Sequence, residues 1–184
     1  VYGLCRVGGL IIWGQEIEEH QQGVMAGRKD APHTGSYYYT VSLAVAVCRG
    51  PITRVRRIWA NDKVIYDYTQ SPATPHTIRI YTGTEVQTAD HLISSIEGAS
   101  DTPAYRGLAY VVFEDLRLSE FGNQIPNFSF EVEQGSATVQ TVLESLAEQV
   151  GLESADCDFS AGTASVEGML VSSRQPARQV IAPL

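Results

Sequence analysis

The stretch Tyr37-Tyr38-Tyr39-Thr40-Val41-Ser42-Leu43-Ala44-Val45-Ala46-Val47-Cys48 decides the fold. Tyr39, Val41, Leu43, Val45 and Val47 alternate with Thr40, Ser42, Ala44 and Ala46. Successive side chains of a strand point to opposite faces, so this period of two predicts a strand with a large-residue face and a small-residue face. The large face belongs in a core. The small face suits close packing against another sheet or a subunit. Cys48 reads as a small core residue closing the run, and Arg49-Gly50-Pro51 breaks it.

Working outward, Val55 to Trp59 and Lys63 to Tyr66 flank Ala60-Asn61-Asp62. Asn and Asp tolerate left-handed turn geometry, which predicts a hairpin. Gln70 to Pro75 is a loop, and Thr77 to Tyr81 a short strand ended by Gly83. Ala89, Leu92, Ile93 and Ile96 fall at helical spacing, predicting a brief helix within Thr88 to Glu97. Leu108 to Phe113 is apolar on both faces, as in a buried central strand. After the loop Phe121 to Pro126, Phe128, Phe130 and Val132 alternate with Ser129, Glu131 and Glu133 as a one-sided strand. Upstream, Gly9 to Trp13 is a short strand, and Gln15 to Thr34 reads as a long loop of the kind that makes contacts.

The pattern changes after Gln134-Gly135. Val139, Val142, Leu143, Leu146, Ala147 and Val150 follow helical spacing, with Ser136 or Thr138 to cap the start and Gly151 the end. Val166 to Val171 predicts a strand containing Gly168, and Gln175 to Ile181 a further helix with Pro176 in its first turn. The expected fold is mainly β: an antiparallel β-barrel or sandwich over residues 1–134, then a partial α+β domain over 135–184. Val1 in place of Met, and a close at Ile181-Ala182-Pro183-Leu184 inside an apolar pattern, lead us to expect a piece of a longer protein.

The chain has 184 residues, is 43% hydrophobic and carries a net charge of -8. That supports a real core and argues against a nucleic-acid reader, which needs a basic face. Basic residues cluster at Arg49, Arg54, Arg56 and Arg57, which we read as a solvated strand face. No apolar stretch approaches the roughly 20 residues that span a bilayer, so no membrane insertion is expected. Cys5, Cys48 and Cys157 are odd in number and far apart, against a disulfide framework and in keeping with a reducing compartment.

Candidate chemistry is sparse. His20, His33, His76 and His91 have no metal-ligand spacing, and Asp156-Cys157-Asp158 has no partner motif. Glu16, Glu18 and Glu19 lack an opposing carboxylate, and Glu114 and Asp115 are neighbours that a strand would turn to opposite faces. No nucleophile elbow or phosphate loop occurs. The expectation is therefore a non-enzymatic chain with no catalytic residues, no metal and no cofactor.

Two stretches are more specific: Ala104-Tyr105-Arg106-Gly107-Leu108-Ala109-Tyr110-Val111-Val112-Phe113, and Phe121-Gly122-Asn123-Gln124-Ile125-Pro126-Asn127-Phe128-Ser129-Phe130-Glu131-Val132. Together they resemble the tail-protein family of siphophage tail tips, which includes the large baseplate hub protein of gene transfer agents. Tyr37 to Ala46, Gly50 to Lys63, Val7 to Gly14, and more weakly Val166-Glu167-Gly168 and Pro183-Leu184, are similar to it in the same order. The segment after Trp13 departs from that pattern.

The resemblance implies small β-barrel domains in a homotrimeric ring that closes the distal end of a tail tube. It implies other tail proteins as partners, among them a distal tail protein and the tail tube. It also implies a place in a virion tail assembled in the bacterial cytoplasm, host engagement, and transient DNA passage without specific binding. Tyr105, Arg106, Gly107, Phe121, Gly122, Asn123 and Pro126 are the motif residues. Gly107 suits a bend or close approach, Gly122 and Asn123 suit positive φ, Pro126 a rigid connection, and Tyr105 and Arg106 a loop anchor or a subunit contact. A carbohydrate-binding or adhesin-like β-module is the alternative, with Tyr37, Tyr38, Trp59 and Tyr66 lining a groove. A cell-wall hydrolase fragment is the third reading.

Overall fold

In the computed structural model, residues 1–22, 36–153, 156–182 and 184 are described. In chain order the strands are β1 (Tyr2–Gly8), β2 (Leu10–Gly14), β3 (Glu18–Gln22), β4 (Ser36–Arg49), β5 (Arg54–Ala60), β6 (Lys63–Asp67), β7 (Thr77–Thr82), β8 (Leu108–Arg117), β9 (Phe128–Gln134), β10 (Ala137–Thr138), β11 (Ser165–Val166) and β12 (Gly168–Met169). Helices α1 (His91–Glu97), α2 (Val139–Gln149) and α3 (Ala177–Ile181) join them, with a 3-10 turn at Leu118–Phe121.

The strands form two five-stranded antiparallel sheets and one small pair. One sheet has the order β12-β1-β9-β5-β6; the other runs β2-β4-β8-β7, with β3 also on β4. The inner face of the second sheet (Leu43, Val45, Val111, Phe113) meets Val55, Ile58, Phe130 and Val132 of the first in one core. Of barrel or sandwich, the arrangement is a sandwich of two facing sheets. Burying each of these side chains stabilises the fold by roughly 1.5–3 kcal/mol.

β4 realises its alternation. The large face lies in the inter-sheet core. The small face packs closely, as expected, but under a helix rather than a sheet or subunit: Ala44, Tyr110 and Val112 are covered by Ile93 of α1. α1 starts later than the periodicity predicts, at His91, because the Asp90 carboxylate accepts the Leu92 and Ile93 N–H groups at 2.9 and 3.2 Å. Ile93 is buried while Ile96 is 44% exposed, so the helix turns in a narrower face than expected.

Two expectations are corrected, and one strand is added. The Gln15–Thr34 loop is in part a strand: β3 pairs with β4 from Glu18↔Thr40 to Gln22↔Ser36. Its residues are polar because the pair runs past the end of the core, so hydrophobic periodicity is silent there. Residues 23–34 lie outside the described residues. β1 was missed; it pairs with β9 from Gly3↔Gln134 to Gly8↔Ser129, and its glycines hide the alternation. Val166 to Val171 is not one strand but two short ones that leave in different directions: β11 pairs with β10, and β12 with β1.

The hairpin β5–β6 turns at Asn61, whose φ is 53°. α2 is capped by Thr138, whose hydroxyl accepts from the Thr141 N–H at 3.2 Å while the Thr141 hydroxyl accepts from the Thr138 N–H at 2.9 Å. The helix ends at Gln149 rather than at Val150, which is exposed.

Candidate functional site

The motif residues do not form one site. Tyr105, Arg106 and Gly107 precede β8, and Phe121, Gly122, Asn123 and Pro126 follow it. At about 3.4 Å per residue, this strand separates the two groups by roughly 30 Å.

At the first end, Gly50, Gly83 and Gly107 converge. A Cβ on Gly50 would lie 2.8 Å from the Gly83 Cα, and one on Gly83 2.8 Å from the Ala109 nitrogen, so neither position admits a side chain. The Gly50 N–H donates to the Gly107 carbonyl at 2.9 Å. Gln87, buried, pins this junction. Its carbonyl oxygen accepts the Gly83 N–H at 2.8 Å, and its amide donates to the Ala104 and Tyr105 carbonyls, both at 2.9 Å. Arg106 Nε donates to the backbone carbonyl of Gln87 at 3.3 Å, a different oxygen from the side-chain Oε1 that accepts from Gly83. Tyr105 packs edge-on against Tyr110 with centroids 5.2 Å apart. These contacts tie Tyr105 and Arg106 to the Gln87 junction. Val86, beside the pin, is 85% exposed.

Asp90 organises the adjoining cover of the sheet. It accepts from Arg79 Nε at 2.7 Å and from the Tyr81 hydroxyl at 2.7 Å, and Arg79 also pairs with Glu114. Burial opposes ionisation of Asp90. The bonds from Arg79, Tyr81 and the Ile93 N–H outweigh it and hold the carboxyl below its ordinary value. Burial, then the bond to Asp90, pushes Tyr81 up to about 12. Sequence reasoning missed Gln87 and Asp90. The only available signal for Asp90 was an N-cap residue ahead of His91-Leu92-Ile93; Gln87 had none.

At the other end, Gly122 caps the 3-10 turn with φ 68°, and Asn123 follows at φ 58°. The Asn123 N–H donates to the Leu118 carbonyl at 3.0 Å. Pro126 is buried and Phe121 packs on the core. Asn61 and Asn127 bond reciprocally at 2.8 and 3.0 Å, and Lys63 pairs with Glu120. Beyond this end projects the β3–β4 arm. His20 stacks on Tyr38 with centroids 4.8 Å apart, Arg117 lies 4.2 Å over the same ring, and the Tyr39 hydroxyl donates to Glu19 at 2.7 Å. That bond raises the Tyr39 phenol above its ordinary value.

The basic cluster is a neutralised strand face for three of its four members. Arg54 and Arg56 pair with Glu133, and Arg57 with Asp67 and Glu131. Arg49 sits apart, exposed at the first end. Glu114 and Asp115 do part: Glu114 reaches Arg79, while Asp115, at φ 50°, meets Ser42 across a bulge. No group of three metal-ligating side chains occurs among the described residues. The four aromatics of the alternative reading do not line one groove. Tyr66 packs on the core, Trp59 lies under Arg6 with the guanidinium 4.1 Å from its ring, and Tyr37 and Tyr38 sit on the arm.

No protein-family model matches the chain, and no curated protein matches it. Among solved structures, it is similar to a chain from the virion of a native gene transfer agent particle, with 35% identity and a TM-score of 0.54. The likeness is to a virion protein. It covers 78% of this chain and 29% of that neighbour, so the chain spans under a third of the neighbour's length.

Proposed function

We propose that the chain is a structural component of a phage-like particle, and within it part of the tail-tip or baseplate hub. The observation that carries this is the 35% identity over 78% of the chain to a gene transfer agent virion chain. The sandwich supports it. Its two motif ends, pinned by Gln87 and by the Asn61–Asn127 pair, are rigid connections rather than a cleft with converging reactive groups. In this reading residues 1–134 form the hub sandwich, and 135–184 a second α+β unit docked on its edge. Copies associate as a homotrimeric ring, and neighbouring tail proteins contact the exposed ends. The net charge of -8 keeps DNA from lodging in a ring it must traverse. The role is non-enzymatic.

The test is genetic and structural. Deleting the coding segment from a particle-producing strain should give particles without a closed tail tip and without transfer. Cryo-electron microscopy of restored particles should then place the sandwich in three copies at the distal end. Particles with intact tips after the deletion would overturn the reading.

A further inference from the structure

The sandwich brings two of the three cysteines to one core. β1 sets Cys5 opposite Val132 and on the same face as Val7, which lies between the sheets. Cys48 reaches the facing side for a different reason. Val45 and Val47 take the core positions of β4, and a bulge between Ala46 and Cys48 turns Cys48 back onto that core as well. Cys5 and Cys48 both pack against it, each partly exposed.

Contacts on either side bracket the pair. A Cβ on Gly9 would lie 2.3 Å from Val45 Cγ1, so the residue after β1 presses on β4 just before Cys48. At the other end, Tyr2 shares a cleft with Arg49, Gly50 and Pro51, just after Cys48. Cys5 lies between Gly9 and Tyr2, and Cys48 between Val45 and Arg49. With β1 and β4 in contact, this order sets the two thiols at one level of the sandwich. The Cys48 thiol is pushed up by burial, and the nearby Cys5 adds to the rise. The Cys5 Sγ is turned to the Tyr2 carbonyl at 3.6 Å, a weak bond that a χ1 rotation releases. Cys157 lines a different cleft, with Glu148 and Leu152.

We propose that Cys5 and Cys48 form a disulfide that staples the two sheets when the chain meets an oxidising medium. The oxidant is a low-molecular-weight disulfide such as oxidised glutathione. Burial holds Cys48 as the thiol, so Cys5 attacks first. Its thiolate forms a mixed disulfide and expels one glutathione thiolate. Cys48, on losing its proton, then attacks the Cys5 sulfur, closes the Cys5–Cys48 bond and expels the second. The two cysteines give up two protons and two electrons, and one glutathione disulfide becomes two thiols. In a reducing compartment the pair stays open; outside it the staple closes. It ties off a loop of roughly 40 residues, which restricts the unfolded chain. This inference is independent of the tail-tip reading.

The test equilibrates the reduced, folded full chain with oxidised glutathione. Mass spectrometry should show the loss of two hydrogens, and peptide mapping without reductant should join the Cys5 and Cys48 peptides. The melting midpoint should rise by roughly 5–10 °C and fall back on adding dithiothreitol. Cys157→Ser should behave as wild type. Cys5→Ser and Cys48→Ala should each stop at the thiol or the mixed disulfide and show no rise. A folded chain that yields glutathione adducts alone, or a crosslink to Cys157, would overturn the proposal. So would a Cys5–Cys48 bond that forms only in denaturant or lowers the midpoint.

Discussion

The facing sheets and the chain after residue 134 hold together by different means. In the sandwich, two sheets bury a continuous set of β-branched and aromatic side chains, from Val41 and Phe113 to Phe130 and Val132. Among the described residues after 134, only Ala137, Val142, Ala147 and Val180 are buried hydrophobics, while Val150, Leu152, Leu170 and Leu184 stay exposed. The attachment of this stretch is made of backbone and polar contacts. The Tyr2 hydroxyl donates to Ser145 at 3.0 Å, and Gly168 approaches β1 so closely that a Cβ there would lie 2.1 Å from the Leu4 carbonyl oxygen. Apolar burial gives a region its own stability. Backbone contacts of this kind fix a position without doing so, because each hydrogen bond nets only about 1 kcal/mol.

The strongest test of that contrast is Phe130→Ala. It opens a cavity at the centre of the sandwich and should cost roughly 3–5 kcal/mol, read by denaturant unfolding. Unfolding of the α2 signal at the same denaturant concentration would show that the smaller unit depends on the sandwich.

Asp90→Asn comes next. It keeps the cap but weakens the bonds to Arg79 and Tyr81, at about 2 kcal/mol. The native carboxyl lies below its ordinary value. Its contribution is therefore complete above about pH 4, the unfolded value, and is lost as pH falls through the lower folded-state value. The wild-type chain should lose stability on that descent, and Asp90→Asn should lose less. Identical acid profiles would show that the cluster does not matter to the α1 cover.

Gly168→Ala sharpens the comparison from the other side. The added methyl cannot fit against β1, so β12 should detach. The sandwich should melt within a few degrees of wild type while proteolysis after residue 135 accelerates. A large drop in the main transition would mean that the attachment supports the sandwich. The smallest effect is expected from Thr138→Ala, which removes the α2 cap at a cost of about 1 kcal/mol. It should appear as faster amide exchange in the first turn of α2 alone.

Much of the sandwich is legible in the sequence because one face of each strand is buried. Tyr39 to Val47 and Phe128 to Val132 alternate for that reason, and Leu108 to Phe113 is apolar throughout because it is covered on both sides by the core and α1. β3 was hidden, since a strand extending past the core has no apolar face to announce it. The motif residues were legible as a list and not as a place: nothing local says that Gly107 and Gly122 stand at opposite ends of one strand. Gln87 was invisible altogether, because its partners come from four separate backbone positions.

By itself the sequence determined the mainly β class and the order of the main strands. Both rest on local periodicity and turn chemistry. Only the tertiary structure decided that two sheets face each other, that Gly50 and Gly83 must lack side chains, and that β12 pairs with β1. Those facts are distances between residues far apart in the chain, and no local pattern encodes them.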